Sequence, residues 1–536
     1  MATPAVRDAA GADRGRSAAA PASKGDRAQL LKQVALAALS GLLYAIAFPG
    51  HDQFYLAFFA FVPVVVASRN VMPRRAMLLG VVMGLVSHCI CYFWINHLLM
   101  EFAQAPLPLA ALGWLALCLE QGASYGVGVA LARWLQLRTG WPWAITLAVG
   151  LTAMDFLYPV IFPSYIANTM AGATWMMQGA DLLGVLGVTA LLGAINGGLA
   201  DVVIARHEAR PVPRRVVAAV GVLWASAILY GAVRTGQIDA EQNDPQRPKL
   251  KVGLVQSNVG GMERMEDLPH SVSVHQRLTS EVVKQGVDLV VWPEGAFGGT
   301  AVWPNTDVRR EVLGGLSQAI LFGGVRVGLD PVAHRRLPYN SAFLSDAEGH
   351  VLGTYDKTVL LVFGEFVPFG DWFPKIYELL PYASHWGRGT STEPLILDGW
   401  RFGTFICYED ILPRFVQGIM APHAGLRPNV MVNITNDSWY GPYTEQEEHL
   451  ALASFRAVEH RRALVRSTNT GISALIDPNG RVTARTKKFV EATLVGSVPR
   501  REGTTVYEVV GDVAGYAALL LLGAGYFIGR KRKSTA

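Results

Sequence analysis

Phe402-Gly403-Thr404-Phe405-Ile406-Cys407-Tyr408-Glu409-Asp410 is an apolar, β-prone run that stops at a thiol and then turns acidic. It lies in one soluble block, residues 250–500, flanked on both sides by stretches apolar enough to enter a membrane, and Cys407 is the only cysteine of that block. A lone thiol cannot be half of a disulfide within its own domain. At the end of a strand it projects from a rigid edge. The same block carries Glu294 in Val290-Val291-Trp292-Pro293-Glu294-Gly295 and Lys357 in Tyr355-Asp356-Lys357, each again beside a predicted strand end. An acid, a base and a thiol placed in this way point to covalent catalysis at a membrane surface.

The chain is 51% hydrophobic and only 17% charged over 536 residues, with a mean hydropathy of +0.27, too apolar for a soluble enzyme of this length. A net charge of +5, with Lys and Arg in short clusters beside apolar runs, argues against nucleic acid as a partner. Residues 1–28 lack an apolar period and read as a disordered cytoplasmic tail. A bilayer core needs roughly 20 helical residues. Spans fit at Leu31–Pro49, Phe54–Ser68, Ala76–Met100, Leu107–Ala132, Pro142–Phe162, Leu182–Ala205 and Val216–Val233, and again at Val513–Gly529. The expected organisation is a bundle of about seven spans over 29–234, a soluble domain over 235–512, a C-terminal span over 513–529 and a basic tail over 530–536, about eight spans in all.

Arg69, Arg74, Arg75, Arg133, Arg138, Arg206, Arg210, Arg214, Arg215 and the Arg530–Lys533 cluster fall in alternate loops, whereas the short loops near 49–53, 101–106 and 163–180 contain no Lys or Arg. By the positive-inside rule both termini are cytoplasmic and the 235–512 domain is outside, which in a bacterium with two membranes is the periplasm. Within that domain, Leu250–Gln256, Val287–Trp292, Ile320–Val327, Asn340–Ser345, Val351–Tyr355, Phe402–Ile406, Val430–Ile434 and Leu464–Ser467 read as strands. Ser271–Lys284, Ile411–Met420 and Glu445–Arg461 read as helices, so the domain is layered α/β.

A thiol attacks as thiolate and needs a base to take its proton or a cation to lower its pKa. Glu294 is a candidate for the first task and Lys357 for the second, where the cation also stabilises the oxyanion of an attacked carbonyl. Each residue also has a plainer reading: a packed core cysteine, a solvated turn glutamate, a surface lysine. Their local contexts weigh against that. Trp292-Pro293-Glu294, Tyr355-Asp356-Lys357, Phe363-Gly364-Glu365-Phe366-Val367-Pro368, Ile406-Cys407-Tyr408-Glu409, Asn436-Asp437-Ser438-Trp439 and Arg466-Ser467-Thr468-Asn469-Thr470-Gly471 occur in that order, with Val255-Gln256 ahead of them.

These motifs resemble the nitrilase superfamily, whose members use a Glu-Lys-Cys triad in an αββα sandwich. With the spans before and after, the chain resembles the apolipoprotein N-acyltransferases of Gram-negative bacteria over nearly everything beyond the N-terminal tail. The resemblance implies a polytopic α-helical membrane bundle plus a nitrilase-like αββα sandwich, with Cys407 as nucleophile, Glu294 as general base and Lys357 as oxyanion cation. It also implies that Glu365 supports the triad and that Tyr408 and Glu409 shape the site. The implied reaction takes an acyl chain from a phospholipid onto Cys407 as a thioester and passes it to the α-amino group of the diacylglyceryl cysteine of an apolipoprotein, the final step of lipoprotein maturation. No cofactor and no metal are implied.

Met265 stands where that family often has Trp, and Val362 where it usually has Pro. Apolar loops over the thiol would exclude water; Val359–Phe363 and Trp372–Trp386 have that composition, as core packing would. Glu120 and Asp155 fall inside predicted spans, where an ionisable group is either functional or bonded between helices. His449 with Glu459 and Arg461 reads as a satisfied structural network rather than a metal site, and Trp439 with Tyr440 as either a site border or a turn. A membrane-tethered amidase, distinguished by release of free acid or ammonia, and a binding domain of a transporter or receptor are the other readings. The latter has no need of a base, a cation and a thiol together.

Overall fold

Side-chain alternation in the strands explains the layering of the soluble part. In β2 (Leu289–Val291) and the residue after it, Leu289 and Val291 join one buried cluster while Val290 and Trp292 join another. β4 (Ile320–Leu329) and β5 (Arg336–Ser345) repeat the pattern, with Leu321, Ala342 and Leu344 on the first face and Ile320, Phe322 and Phe343 on the second. A strand with both faces apolar must be covered on both sides. One face packs on the second sheet, and the other carries the Leu268–Val283 helix through Val274, Leu278 and Val282.

The computed structural model describes residues 24–260, 267–330, 334–362, 364–367, 370, 372–373, 375 and 385–534. With β1 (Lys249–Gln256), β3 (Phe297–Ala301), β6 (Val351–Asp356) and β13 (Ala492–Pro499), the first sheet runs β13-β1-β2-β4-β5-β6, and β3 pairs with β4. The second runs β12-β11-β10-β9-β8-β7, built from β7 (Leu395–Leu397), β8 (Trp400–Ile406), β9 (Val430–Thr435), β10 (Leu464–Thr468), β11 (Ala474–Ile476) and β12 (Val482–Arg485). Its outer face is covered by the Pro413–Met420 and Glu445–His460 helices, giving the expected αββα order. β1, β2 and β4 are parallel neighbours, as are β8, β9 and β10. Carboxyl ends of parallel strands therefore gather at one rim.

Among the described residues, six helices are long and apolar enough to cross a membrane: Gly25–Ala47, Pro73–Cys91, Leu107–Thr139, Ala180–His207, Arg214–Gln242 and Val513–Arg530. Phe54–Ser68 and Trp143–Leu157 are shorter. Three expected spans are revised. The Ala76–Met100 span is two helices, Pro73–Cys91 and Ile95–Glu101, broken where Tyr92 and Trp94 turn inward to bury their rings. Phe54–Ser68 is a 3-10 turn, Phe54–Phe58, followed by the helix Val62–Ser68. Pro142–Phe162 is helical only over Trp143–Leu157, because Tyr158 precedes Pro159 and takes the extended conformation that proline imposes on its predecessor. Helix contacts use small residues: a Cβ on Gly84 would lie 2.2 Å from the carbonyl oxygen of Gly122, so two backbones touch there.

The sandwich docks on the bundle by its Glu445–His460 layer. Trp94 Nε1 donates to Glu448 (3.3 Å), and the rings of Trp94 and Tyr440 meet edge-on. Gly184 breaks the Ala180–His207 helix with φ of 66°, and the N–H of Val185 released there donates to Glu459 (3.0 Å). Arg461 donates to Gln178 and pairs with Asp181 at the start of the same helix.

Candidate active site

The rim where the parallel strands end holds Cys407, Glu294 and Lys357. Cys407 follows β8 and opens the 3-10 turn Cys407–Ile411, with φ of +56°. Such a conformation is costly for a residue with a Cβ and persists only where surroundings hold it. Here Asn433 of β9 donates to the Cys407 carbonyl (3.0 Å). Burial pushes the Cys407 thiol well up, and the charge of Glu294 adds to this against the opposing pull of Lys357. The resting sulfur is thus a thiol.

Glu294 follows Trp292-Pro293 at the end of β2. Its Oε1 accepts from Asn340 Nδ2 (2.7 Å) and lies 3.5 Å from Lys357 Nζ, while Oε2 accepts from the backbone N–H of Asn436 (2.9 Å). The approach is possible because β4 has glycine at 323, where a Cβ would meet the Pro293 carbonyl oxygen at 2.6 Å. Lys357 follows β6 and is 1% exposed, not the surface residue that its place in a hairpin allows. Nζ donates to Glu365 at 2.8 Å. Burial alone would strip the charge from this ammonium, but Glu365 and Glu294 together outweigh it and hold Lys357 well above its ordinary range.

Glu365 and Glu409 fix the loop that carries Lys357. Glu365 accepts from the Leu361 N–H (2.8 Å) and from Asn340 (3.0 Å). Glu409 accepts from the N–H groups of Thr358 (2.6 Å), Val359 (2.8 Å) and Ile406 (2.8 Å) and from the Tyr355 hydroxyl (2.7 Å). One carboxylate therefore ties the segment after Lys357 to the residue before Cys407. Burial raises Glu409 to about 7 against those donors. Tyr408, next to Cys407 in the chain, lines a cavity with Tyr440, Ile411 and the bundle side chains Trp94, Tyr92 and Phe162.

Asn340, Asn433 and Gly323 are contributors that motif reading missed. The signal for two of them was present as a polar residue within the apolar run Val430–Ile434 and a glycine within Ile320–Val327. The candidate group of His449 with Glu459 and Arg461 is not one network. His449 bonds to Asp410 (2.8 Å) beside Asp437 and Glu445, whereas Glu459 and Arg461 face the bundle. Glu459 and Arg461 lie about three helical turns beyond His449. Among the described residues, ligand atoms of Asp437, Glu445 and His449 lie within 4.8 Å of one another. Arg466, 3.2 Å from Asp437 and 3.0 Å from Asp410, supplies the cation that such a cluster of acids requires. Asp155 bonds between helices, accepting from Thr189 (2.7 Å) and the Ile166 N–H (3.1 Å). The Glu120 carbonyl accepts from Tyr158 (3.1 Å). Trp439 and Tyr440 meet Phe102 and Trp94 edge-on, and Tyr440 also borders the cavity. Met265 and much of the Trp372–Trp386 loop lie outside the described residues, as does Phe363.

Residues 251–507 match the family model described as carbon-nitrogen hydrolase, and residues 40–198 match the apolipoprotein N-acyltransferase N-terminal domain. A protein of Geobacter metallireducens named apolipoprotein N-acyltransferase is 32% identical, over 90% of this chain and 92% of its own. One of the same name from Azotobacter vinelandii is 31% identical, over 94% of this chain and 96% of its own. Another from Bdellovibrio bacteriovorus is 28% identical, over 83% and 84%. With both halves matched in order and relatives aligned from the bundle through the sandwich, the chain belongs to the apolipoprotein N-acyltransferase family of the nitrilase superfamily.

Proposed function

We propose that this protein transfers an acyl chain from a membrane phospholipid, through a thioester on Cys407, to the α-amino group of the N-terminal diacylglyceryl cysteine of apolipoproteins. The observation that carries the reading is the charged, buried Lys357 held between Glu365 and Glu294, with Glu294 in the same cluster as a protonated Cys407 thiol. Glu294 takes the proton from Sγ. Sulfur attacks the ester carbonyl, and the resulting oxyanion is stabilised by the Lys357 ammonium. Collapse breaks the C–O bond, and Glu294 returns its proton to the leaving lysophospholipid oxygen. In the second half the acceptor amine attacks the thioester carbonyl and loses a proton to Glu294. The C–S bond then breaks and the thiol is restored.

Both substrates are anchored in a bilayer, and the apolar helices that precede and follow the sandwich in the chain suit an enzyme that works at headgroup height. The arginine distribution supports an inner-membrane protein with cytoplasmic termini, a tail over 1–28, a bundle over 29–234, a periplasmic 235–512 domain, a span at 513–529 and a basic end at 530–536. Trp372 and Phe373 are 76% and 63% exposed, which suits a loop that meets lipid and sheds water from the thioester.

Incubation of the purified protein with phospholipid alone tests the reading by intact-mass spectrometry. An acyl adduct on Cys407 with release of lysophospholipid is expected, and it is absent from Glu294→Gln and Lys357→Ala. N-acylation of an apolipoprotein at the normal rate by Cys407→Ser would overturn the assignment. Free fatty acid as the main product from soluble amides would instead favour a hydrolase.

A further inference from the structure

We propose that Arg466 is a positioning residue for the acyl transfer, setting both the Cys407 turn and the backbone N–H that holds Glu294. The inference rests on Cys407 being the acylated residue. Arg466 lies on β10, fully buried. Nη1 donates to Asn433 Oδ1 (2.7 Å) and Asp410 Oδ2 (3.0 Å), and Nη2 donates to Asp437 Oδ2 (3.2 Å).

Each of those partners is one step from a reacting group. The other end of the Asn433 amide donates to the Cys407 carbonyl (3.0 Å). Asp410 belongs to the Cys407–Ile411 turn itself. Asp437 adjoins Asn436, whose N–H holds Glu294 Oε2 (2.9 Å). Asp437 is further fixed by Thr435 (3.0 Å), and the Asn436 side chain accepts from Asn469 (3.2 Å), three residues beyond Arg466 on the same strand exit. One planar fork thus spans the ends of β8 and β9, the first carrying the nucleophile and the second the N–H that holds Glu294. The positive φ of Cys407 needs such anchoring, because a left-handed turn at a non-glycine residue relaxes when its contacts are lost.

A role in charge balance alone would be met by lysine, since Asp410 and Asp437 need only a cation. A role in geometry would not, because an ammonium is a point donor and cannot hold three partners in the guanidinium's plane. Arg466→Lys in the full-length protein separates the two. The readouts are thermal unfolding, thioester formation from a diacyl phospholipid in mixed micelles, and alkylation of Cys407 by iodoacetamide. The folded variant is expected to form the thioester at least about tenfold more slowly at saturating phospholipid, with unchanged half-saturation and alkylation slowed in parallel.

A saturating rate within about twofold of the unsubstituted enzyme overturns the inference, whatever the half-saturation. Should Arg466→Lys fail to fold, Asp410→Asn weakens one anchor and leaves the guanidinium in place, and the same two outcomes decide. If the unsubstituted protein forms no adduct on Cys407, the proposed function itself fails, a result distinct from equal rates in protein and variant.

Discussion

The side-chain amide of Asn340 donates to Oε1 of Glu294 across 2.7 Å. The same nitrogen reaches Glu365 Oε1 at 3.0 Å, so one NH₂ group spaces the two carboxylates that flank Lys357. Replacing it by leucine leaves two acids without that donor and lets Lys357 choose between them. Asn340→Leu is expected to slow thioester formation by roughly tenfold or more, since a base displaced by a fraction of an ångström loses its line to the proton. It should also cost about 1–3 kcal/mol of stability, the usual loss when a partly buried acceptor goes unmet. Single-turnover mass spectrometry and thermal unfolding give the two numbers, and an unchanged thioester rate would remove Asn340 from the site.

Cys407, Glu294 and Lys357 were legible because each follows an apolar run long enough to be read as a strand. β1, β4, β5, β8 and β9 are likewise where apolar patterning placed them, within a residue or a few. β3, β7 and β11 are only three to five residues long, too short for a period to register. The burial of Lys357 was invisible for a different reason. Its charge is satisfied by Glu365 and Glu294, which are adjacent only after β2 and β6 join one sheet. The Glu445–His460 helix carries the same lesson. Its Glu448, His449, Arg456 and Glu459 look like a solvated face but are buried against the bundle and the site.

The left-handed turn at Cys407 makes a stability prediction separable from activity. Alanine keeps a Cβ in that conformation, whereas glycine adopts it freely. Cys407→Gly and Cys407→Ala are both expected to lose acyl transfer. Cys407→Gly should nevertheless be the more stable of the two by about 1 kcal/mol, because the strain removed exceeds glycine's extra freedom in the unfolded chain. Denaturation of both variants in the same detergent checks the order. An alanine variant more stable than the glycine one would mean that the turn bears no strain.

Because burial and the Glu294 charge push the Cys407 thiol up, the sulfur should not behave as a preformed thiolate. Iodoacetamide labelling is expected to be slow near pH 7 and to rise steadily toward alkaline pH without a plateau near neutrality. Glu294→Gln removes the proposed base but also a negative charge that disfavours thiolate. Labelling at high pH should therefore become faster in this variant even as phospholipid-driven thioester formation is lost. Parallel loss of both reactions would show that Glu294 acts on the thiol only through structure.

The buried carboxyls set a pH dependence of folding whose sign follows from their direction of shift. Burial raises Glu409 and Glu459 to about 7, with Arg456 opposing at Glu459, and burial with Asp437 raises Glu445 to about 7. Unfolded, these groups release their protons near 4.5. Between those values the folded protein binds more protons than the unfolded chain, so stability falls as pH rises through that window. At His449, burial and Arg466 oppose the charge, but Asp410 and Asp437 outweigh them, so its contribution is full below 6.5 and is lost only at higher pH, extending the decline. Asp437 runs the other way. Burial would raise it, yet Arg466 and His449 hold it below its ordinary range, and its contribution disappears only as pH falls below 3.8. Thermal unfolding in detergent should therefore give a higher midpoint at pH 5.5 than at pH 8. Glu459→Gln, which keeps an oxygen for the Val185 N–H, should narrow that gap, because one of the groups that titrates between folded and unfolded states is gone. A midpoint that rises toward pH 8 would mean that Glu459 and its neighbours are ionised in the fold at neutral pH, with Arg456 and the broken helix end at Val185 holding their charge.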